Sequence, residues 1–174
     1  MRNDPPRNLR LPHFDYSTPG TYFVTVCTAG RRRQLADPRI ASIVTNCWAA
    51  VETHREKVTC DEVVIMPEHL HGILLIAEDP GSTMRPRVRT SEGTAQRRMF
   101  GPQKARSLPV IVGGFKSACT RLVGQAGLGP LVWQRRYYEH VIRNEADLAR
   151  IRQYIRNNSL ELTPEFFEKL SPPA

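Results

Sequence analysis

At 174 residues the chain reads as a single domain, long enough to bury a real core. Its 25 Lys and Arg against 17 Asp and Glu give a net charge of +8, a balance that favours a polyanionic partner, nucleic acid ahead of an anionic membrane surface. No run approaches the ~18 apolar residues of a membrane span and the N-terminus lacks a signal-peptide core. Cys27, Cys47, Cys60 and Cys119 show no CxxC spacing. They read as reduced residues of a soluble cytoplasmic protein, nucleoid-associated when bound to DNA, with no membrane partner.

Residues 1–20 are rich in Pro, Arg and Asn and read as an irregular arm ending at the Pro19-Gly20 turn. "TYFVTVCT" is dense in β-branched and aromatic residues and predicts a first strand, closed by the basic "GRRRQ". Asp37-Pro38 offers an N-cap with Pro in the first turn, and Ile40, Ile43, Val44, Cys47, Trp48 and Val51 recur at helical spacing to about residue 56. "CDEVVIM" and "LHGILLI" predict two more strands, bent at Pro67-Glu68.

Residues 77–106 hold Pro80, Gly81, Pro86, Gly93, Gly101 and Pro102, with seven basic side chains against three acidic, and read as a long mobile loop. A second helix is expected from Ser107 to about Gln125, on Ile111, Phe115, Ala118, Cys119, Leu122 and Val123. "PLVWQRRYYEHVIR" reads as a fourth extended segment. Asn144 then caps a helix over 145–158, with Glu145 and Asp147 in its first turn and Leu148, Ile151 and Ile155 as its buried stripe. "PEFFEKL" opens a short last helix, making 161–174 a helix and tail beyond a domain at 21–160. The order β-α-β-β-α-β-α predicts an α+β, ferredoxin-like split βαβ fold with a central antiparallel sheet and an added C-terminal helix.

The chemistry concentrates in "IMPEHLHGILLI". Side chains two apart on a strand share a face, so His69 and His71 point the same way. Two imidazoles side by side suit a divalent metal if a third ligand arrives from elsewhere. A bare His-x-His is common, and two satisfied core histidines are the bland alternative. Its apolar strand favours a site, since an idle polar pair is costly to bury. On the 145–158 helix, Tyr154 lies beside the apolar stripe and Asn158 one turn further on the same face. Separately they read as a boundary aromatic and a helix C-cap. Together with the histidines they make a coherent site, in which a metal held by His69, His71 and Asn158 polarises a phosphodiester and Tyr154 attacks phosphorus.

"VVIMPEHLHGILLI" resembles the His-hydrophobe-His (HUH) strand of the single-tyrosine transposases. With "LPHFDYSTPGTYFVTVCT", "IVGGFKS" and "VWQRRYYEHVIRNEADLARIRQYIRNN", in matching order from about residue 10 to 160, the chain resembles the REP-associated tyrosine transposases. The resemblance implies a ferredoxin-like fold, a divalent metal (Mg or Mn), and nicking and joining of single-stranded DNA near palindromic hairpins through a phosphotyrosine. It implies His69, His71 and Asn158 as metal ligands and Tyr154, rather than Tyr137 or Tyr138, as the catalytic nucleophile. One departure is Asn158-Ser159, where the family usually has Asn-Pro.

A cationic track and aromatic surfaces would serve the strand. Candidates are Arg31, Arg32 and Arg33; Arg85, Arg87, Arg89, Arg97 and Arg98 in the basic loop; Lys116; Arg135 and Arg136 beside Tyr137-Tyr138; and His140 and Arg143. A solvated face is the alternative for each alone, and a structural role for His140 and Arg143. The expected partners are single-stranded DNA and DNA hairpins, bound by a monomer or homodimer. Two other functions remain open at this point: a hairpin-binding protein without cleavage, and a water-using metallophosphoesterase with Glu68 as base.

Overall fold

A computed structural model describes residues 18–78 and 107–158. The arm up to residue 17, the basic loop from residue 79 with Arg85, Arg87, Arg89, Arg97 and Arg98, and the segment after residue 158 with its expected helix lie outside the described residues. Among the described residues four strands, β1 (Gly20–Cys27), β2 (Val58–Met66), β3 (His69–Ile76) and β4 (Tyr138–Ile142), and three helices, α1 (Pro38–His54), α2 (Leu108–Gln125) and α3 (Glu145–Arg156), follow the expected order. The sheet runs β2-β3-β1-β4 with every pair antiparallel, the ferredoxin-like arrangement.

The caps form where the residue types place them. Asp37 accepts a hydrogen bond from Arg39 N at 2.9 Å, and Asn144 Oδ1 accepts from Asp147 N at 2.8 Å, each satisfying an otherwise orphaned helix N–H. The boundaries are tighter than the sequence suggests. The first helix ends at His54 and α3 at Arg156, and of the expected fourth extended segment only Tyr138–Ile142 joins the sheet, with Trp133 bridging Thr28 alone. Two short 3-10 turns, Ala29–Arg31 and Gln34–Ala36, lead from β1 into α1.

Alternation along the strands divides the sheet into two faces. Tyr22, Val24, Val26, Leu70, Leu74 and Ile76 pack with α1 and α2 into the larger core. Trp48 of α1 lies so close to β3 there that a Cβ on Gly72 would come within 2.3 Å of its Cζ2, which explains a glycine in mid-strand. On the other face Phe23, Ile73 and Ile142 meet Leu148, Ile151 and Ile155 of α3. Burial of each of those aliphatic side chains is worth about 1.5–3 kcal/mol, enough to hold a 12-residue helix on the sheet. His69 and His71 belong to this second face, so the strand's polar pair lies on the side that α3 covers.

Candidate metal and nucleophile site

The antiparallel register sets Thr25 opposite His71 and Cys27 opposite His69. Both histidines are buried, His71 completely. Their Nε2 atoms converge at 3.0 Å, a distance at which a shared hydrogen or a shared cation can link them. Two nitrogens on adjacent corners of an octahedron with ~2.1 Å bonds stand about 3.0 Å apart, so this spacing fits one divalent ion. His71 Nδ1 is engaged with Thr25 Oγ1 at 2.8 Å. When Nδ1–H is the donor in that bond, Nε2 presents its lone pair to a metal. Phe23 stacks on the His71 ring at 5.4 Å between centroids and limits its tilt.

Charge agrees with a ligand role. Burial, reinforced by the neighbouring His69, pushes His71 down to about 3. Burial also lowers His69, with Glu68 opposing the shift and Arg31 adding to it. Neutral imidazoles keep the lone pairs that cations require. His69 Nδ1 is buried with no hydrogen-bond partner among the described residues.

α3 brings the two distant candidates to the same place. The Tyr154 ring sits edge-on to His71 with centroids 5.6 Å apart and to Phe23 at 6.2 Å. Burial raises the Tyr154 phenol above its usual value, and the nearby Asn158 amide opposes that rise. Asn158 itself is 5 % exposed, although it follows the helix end. The C-cap is Asn157, at φ −85° and ψ 1°, so capping does not account for Asn158. Its amide atoms are buried near the Tyr154 phenol and complete no hydrogen bond of regular geometry among the described residues, so its oxygen could serve an ion. Among the described residues no three His, Cys, Asp or Glu side chains gather as a metal cage. Asn158 shares a cleft with His69, and Tyr154 meets His71.

Asn158 and His69 line one cleft of about 240 Å³ with Arg31, Arg33, Met66, Pro67 and Glu68. Gly30 and Arg31 take left-handed conformations, at φ 62° and 49°, and the turn they form delivers two of the three consecutive arginines to this cleft. Thr28, fully buried, ties the turn down through bonds to Arg32 O at 2.6 Å and Glu68 O at 2.9 Å. Arg31 Nη1 pairs with Glu68 at 3.1 Å across the mouth.

The other basic candidates lie elsewhere. Lys116 donates to Gln134 O at 2.9 Å and stands over the Tyr137 ring, beside Trp133 in a separate depression. His140 is held by Asp147 at 3.0 Å, at the start of α3. Arg32, Arg135, Arg136 and Arg143 are exposed. Sequence reasoning missed Thr25 and Phe23. Their signal was the period-two alternation of β1, which puts them opposite Tyr22, Val24 and Val26, but only the pairing register says which histidine they meet.

No family model matches the chain. An uncharacterised protein of Haemophilus influenzae is 34% identical over 166 residues, spanning 88% of each chain. The chain belongs to one family with that protein. A solved REP-associated tyrosine transposase, bound to a REP hairpin, superposes with a TM-score of 0.58 at 23% identity, covering 86% of this chain and 70% of that one. This chain has the REP-associated tyrosine transposase fold. No described helix is long and apolar enough to cross a membrane.

Proposed function

We propose that the protein is a metal-dependent single-stranded DNA transesterase of the transposase type, which nicks and rejoins strands near hairpins through a covalent bond to Tyr154. The observation that carries this reading is the convergence of His69 and His71 Nε2 at 3.0 Å under a helix whose tyrosine ring meets His71. The shared fold with a transposase solved on a hairpin supports it further.

His69, His71 and Asn158 would hold the ion, and imidazole nitrogens with an amide oxygen favour Mn over Mg. The chemistry such an ion supplies when bound is polarisation of the scissile phosphodiester. Tyr154 Oη attacks phosphorus and loses its proton, the bond from phosphorus to the 3'-oxygen breaks, and the departing 3'-oxygen takes a proton from solvent to leave as a 3'-hydroxyl. The 5'-phosphate stays on Tyr154, so a 3'-hydroxyl can attack in reverse and restore the diester without ATP. Arg31 and Arg33, at the rim of the cleft, suit the phosphates flanking the break. Glu68 is engaged by Arg31, which leaves it poorly available as the base of a water-using phosphoesterase.

The deciding experiment incubates the protein with a hairpin-bearing oligonucleotide and Mn or Mg, then seeks a covalent adduct on a denaturing gel. Tyr154→Phe is expected to abolish the adduct while leaving hairpin binding intact. An adduct that persists in this variant refutes the nucleophile, and strand hydrolysis without any adduct in the wild type refutes the transesterase.

A further inference from the structure

The apolar stripe of α3 holds the helix down but does not orient it, because hydrophobic contact is non-directional. At the ~5–6 Å radius of a helix with its side chains, a roll of ~20° moves a side chain by about 2 Å. A misplacement of about 1 Å can cost ~10²-fold in rate. Something directional has to set the roll that brings Tyr154 and Asn158 to the histidines.

We propose that Asp61 and Glu62, carried together on a bulge of β2, are positioning residues that grip Arg152 and Arg156 and set the roll of the Tyr154 helix. The inference rests on the role given to Tyr154 above. Between Cys60 and Val63 the strand β2 takes three residue steps where β3, from Leu74 to Gly72, takes two. In a regular strand Asp61 and Glu62 would point to opposite faces. The extra residue breaks that alternation, and both carboxylates reach α3. Arg152 Nε donates to Asp61 Oδ2 at 2.7 Å. Arg156 grips Glu62 through Nε at 2.8 Å and through Nη2.

The two arginines are one turn apart and bracket Tyr154, with Asn158 two residues beyond the second. Arg152 also comes within 3.7 Å of Glu145, an exposed neighbour on its own helix. The pairs are partly exposed, with 59% of the Arg156 side chain open to solvent. Such pairs contribute little to stability, so their directional role can be separated from folding.

The test compares Asp61→Arg and Glu62→Arg with the charge swaps Asp61→Arg/Arg152→Asp and Glu62→Arg/Arg156→Glu, in the full chain with a hairpin oligonucleotide and Mn. The single-turnover rate of adduct formation is expected to fall about tenfold or more in each single variant, with no loss of hairpin affinity because each change adds positive charge, and to recover in the swaps. Wild-type rates in the single variants, or swaps that recover nothing, overturn the proposal. A second readout needs no catalysis: the NMR shift of the His71 ring protons, which the Tyr154 ring perturbs, in Asp61→Asn/Glu62→Gln. If the wild type forms no adduct, the DNA reading fails by itself and this shift decides. A displaced His71 resonance supports the clamp, and an unmoved one removes it.

Discussion

Replacing Gly72 with alanine tests how β3 is seated against α1. The added Cβ would stand 2.3 Å from Trp48 Cζ2, 2.5 Å from Cη2 and 3.0 Å from Cε2, where carbon atoms ordinarily keep ~3.5–4.0 Å. The indole must therefore retreat by more than about 1 Å. It has little room, being 3% exposed and packed edge-on against Phe115 at 5.4 Å between centroids. Overpacking a core costs about 1–3 kcal/mol, and a rigid ring places this case near the upper end. Alanine regains ~0.5–1 kcal/mol over glycine in a strand, leaving a net loss of about 2 kcal/mol. For a chain of this length that lowers Tm by roughly 4–8 °C, measurable by near-UV circular dichroism. Trp48→Phe removes the ring atoms in conflict, so the double variant is expected to lose less than the sum of the two singles by about 1 kcal/mol or more. An unchanged Tm in Gly72→Ala, or strict additivity in the double variant, refutes the reasoning.

Thr25→Val keeps the shape of its residue but leaves His71 Nδ1 without its 2.8 Å partner. Mn affinity by calorimetry should fall about 10–100-fold with the fold retained, and an unchanged affinity would show that Thr25 does not orient the ligand. The Asp147 carboxyl is raised by burial, yet its hydrogen bonds from His140 and Arg150 prevail and hold it below the usual range. A depressed carboxylate contributes stability above its unfolded pKa of ~3.9 that is lost as pH falls through the folded value. The urea midpoint of Asp147→Asn should thus lie below wild type at neutral pH, with the gap closing in acid. A gap that does not narrow as the pH falls below ~3.9 would count against that account.

Local pattern made much of the protein legible. Asp37-Pro38 and Asn144 mark helix starts because few side chains can accept from an orphaned N–H, and the oxygens of Asp37 and Asn144 do so. The stripe of Leu148, Ile151 and Ile155 predicts the buried face of α3, and from it the side on which Tyr154 and Asn158 stand. Helix ends were less legible: nothing local distinguishes Asn157 from Asn158 as the cap, and the burial of Asn158 beside His69 and the β2–β3 turn is a tertiary fact.

By itself the sequence determined that His69 and His71 share a face, because alternation is a property of any extended chain. It equally determined that Tyr154 and Asn158 share a helix face, because 3.6 residues make a turn. Only the tertiary structure decided that these two faces meet, that Thr25 stands opposite His71, and that Asp61 and Glu62 both turn toward α3. Those facts depend on strand register and on one extra residue in β2. Register is chosen by summing many weak contacts between segments far apart in the chain, so no short stretch carries it.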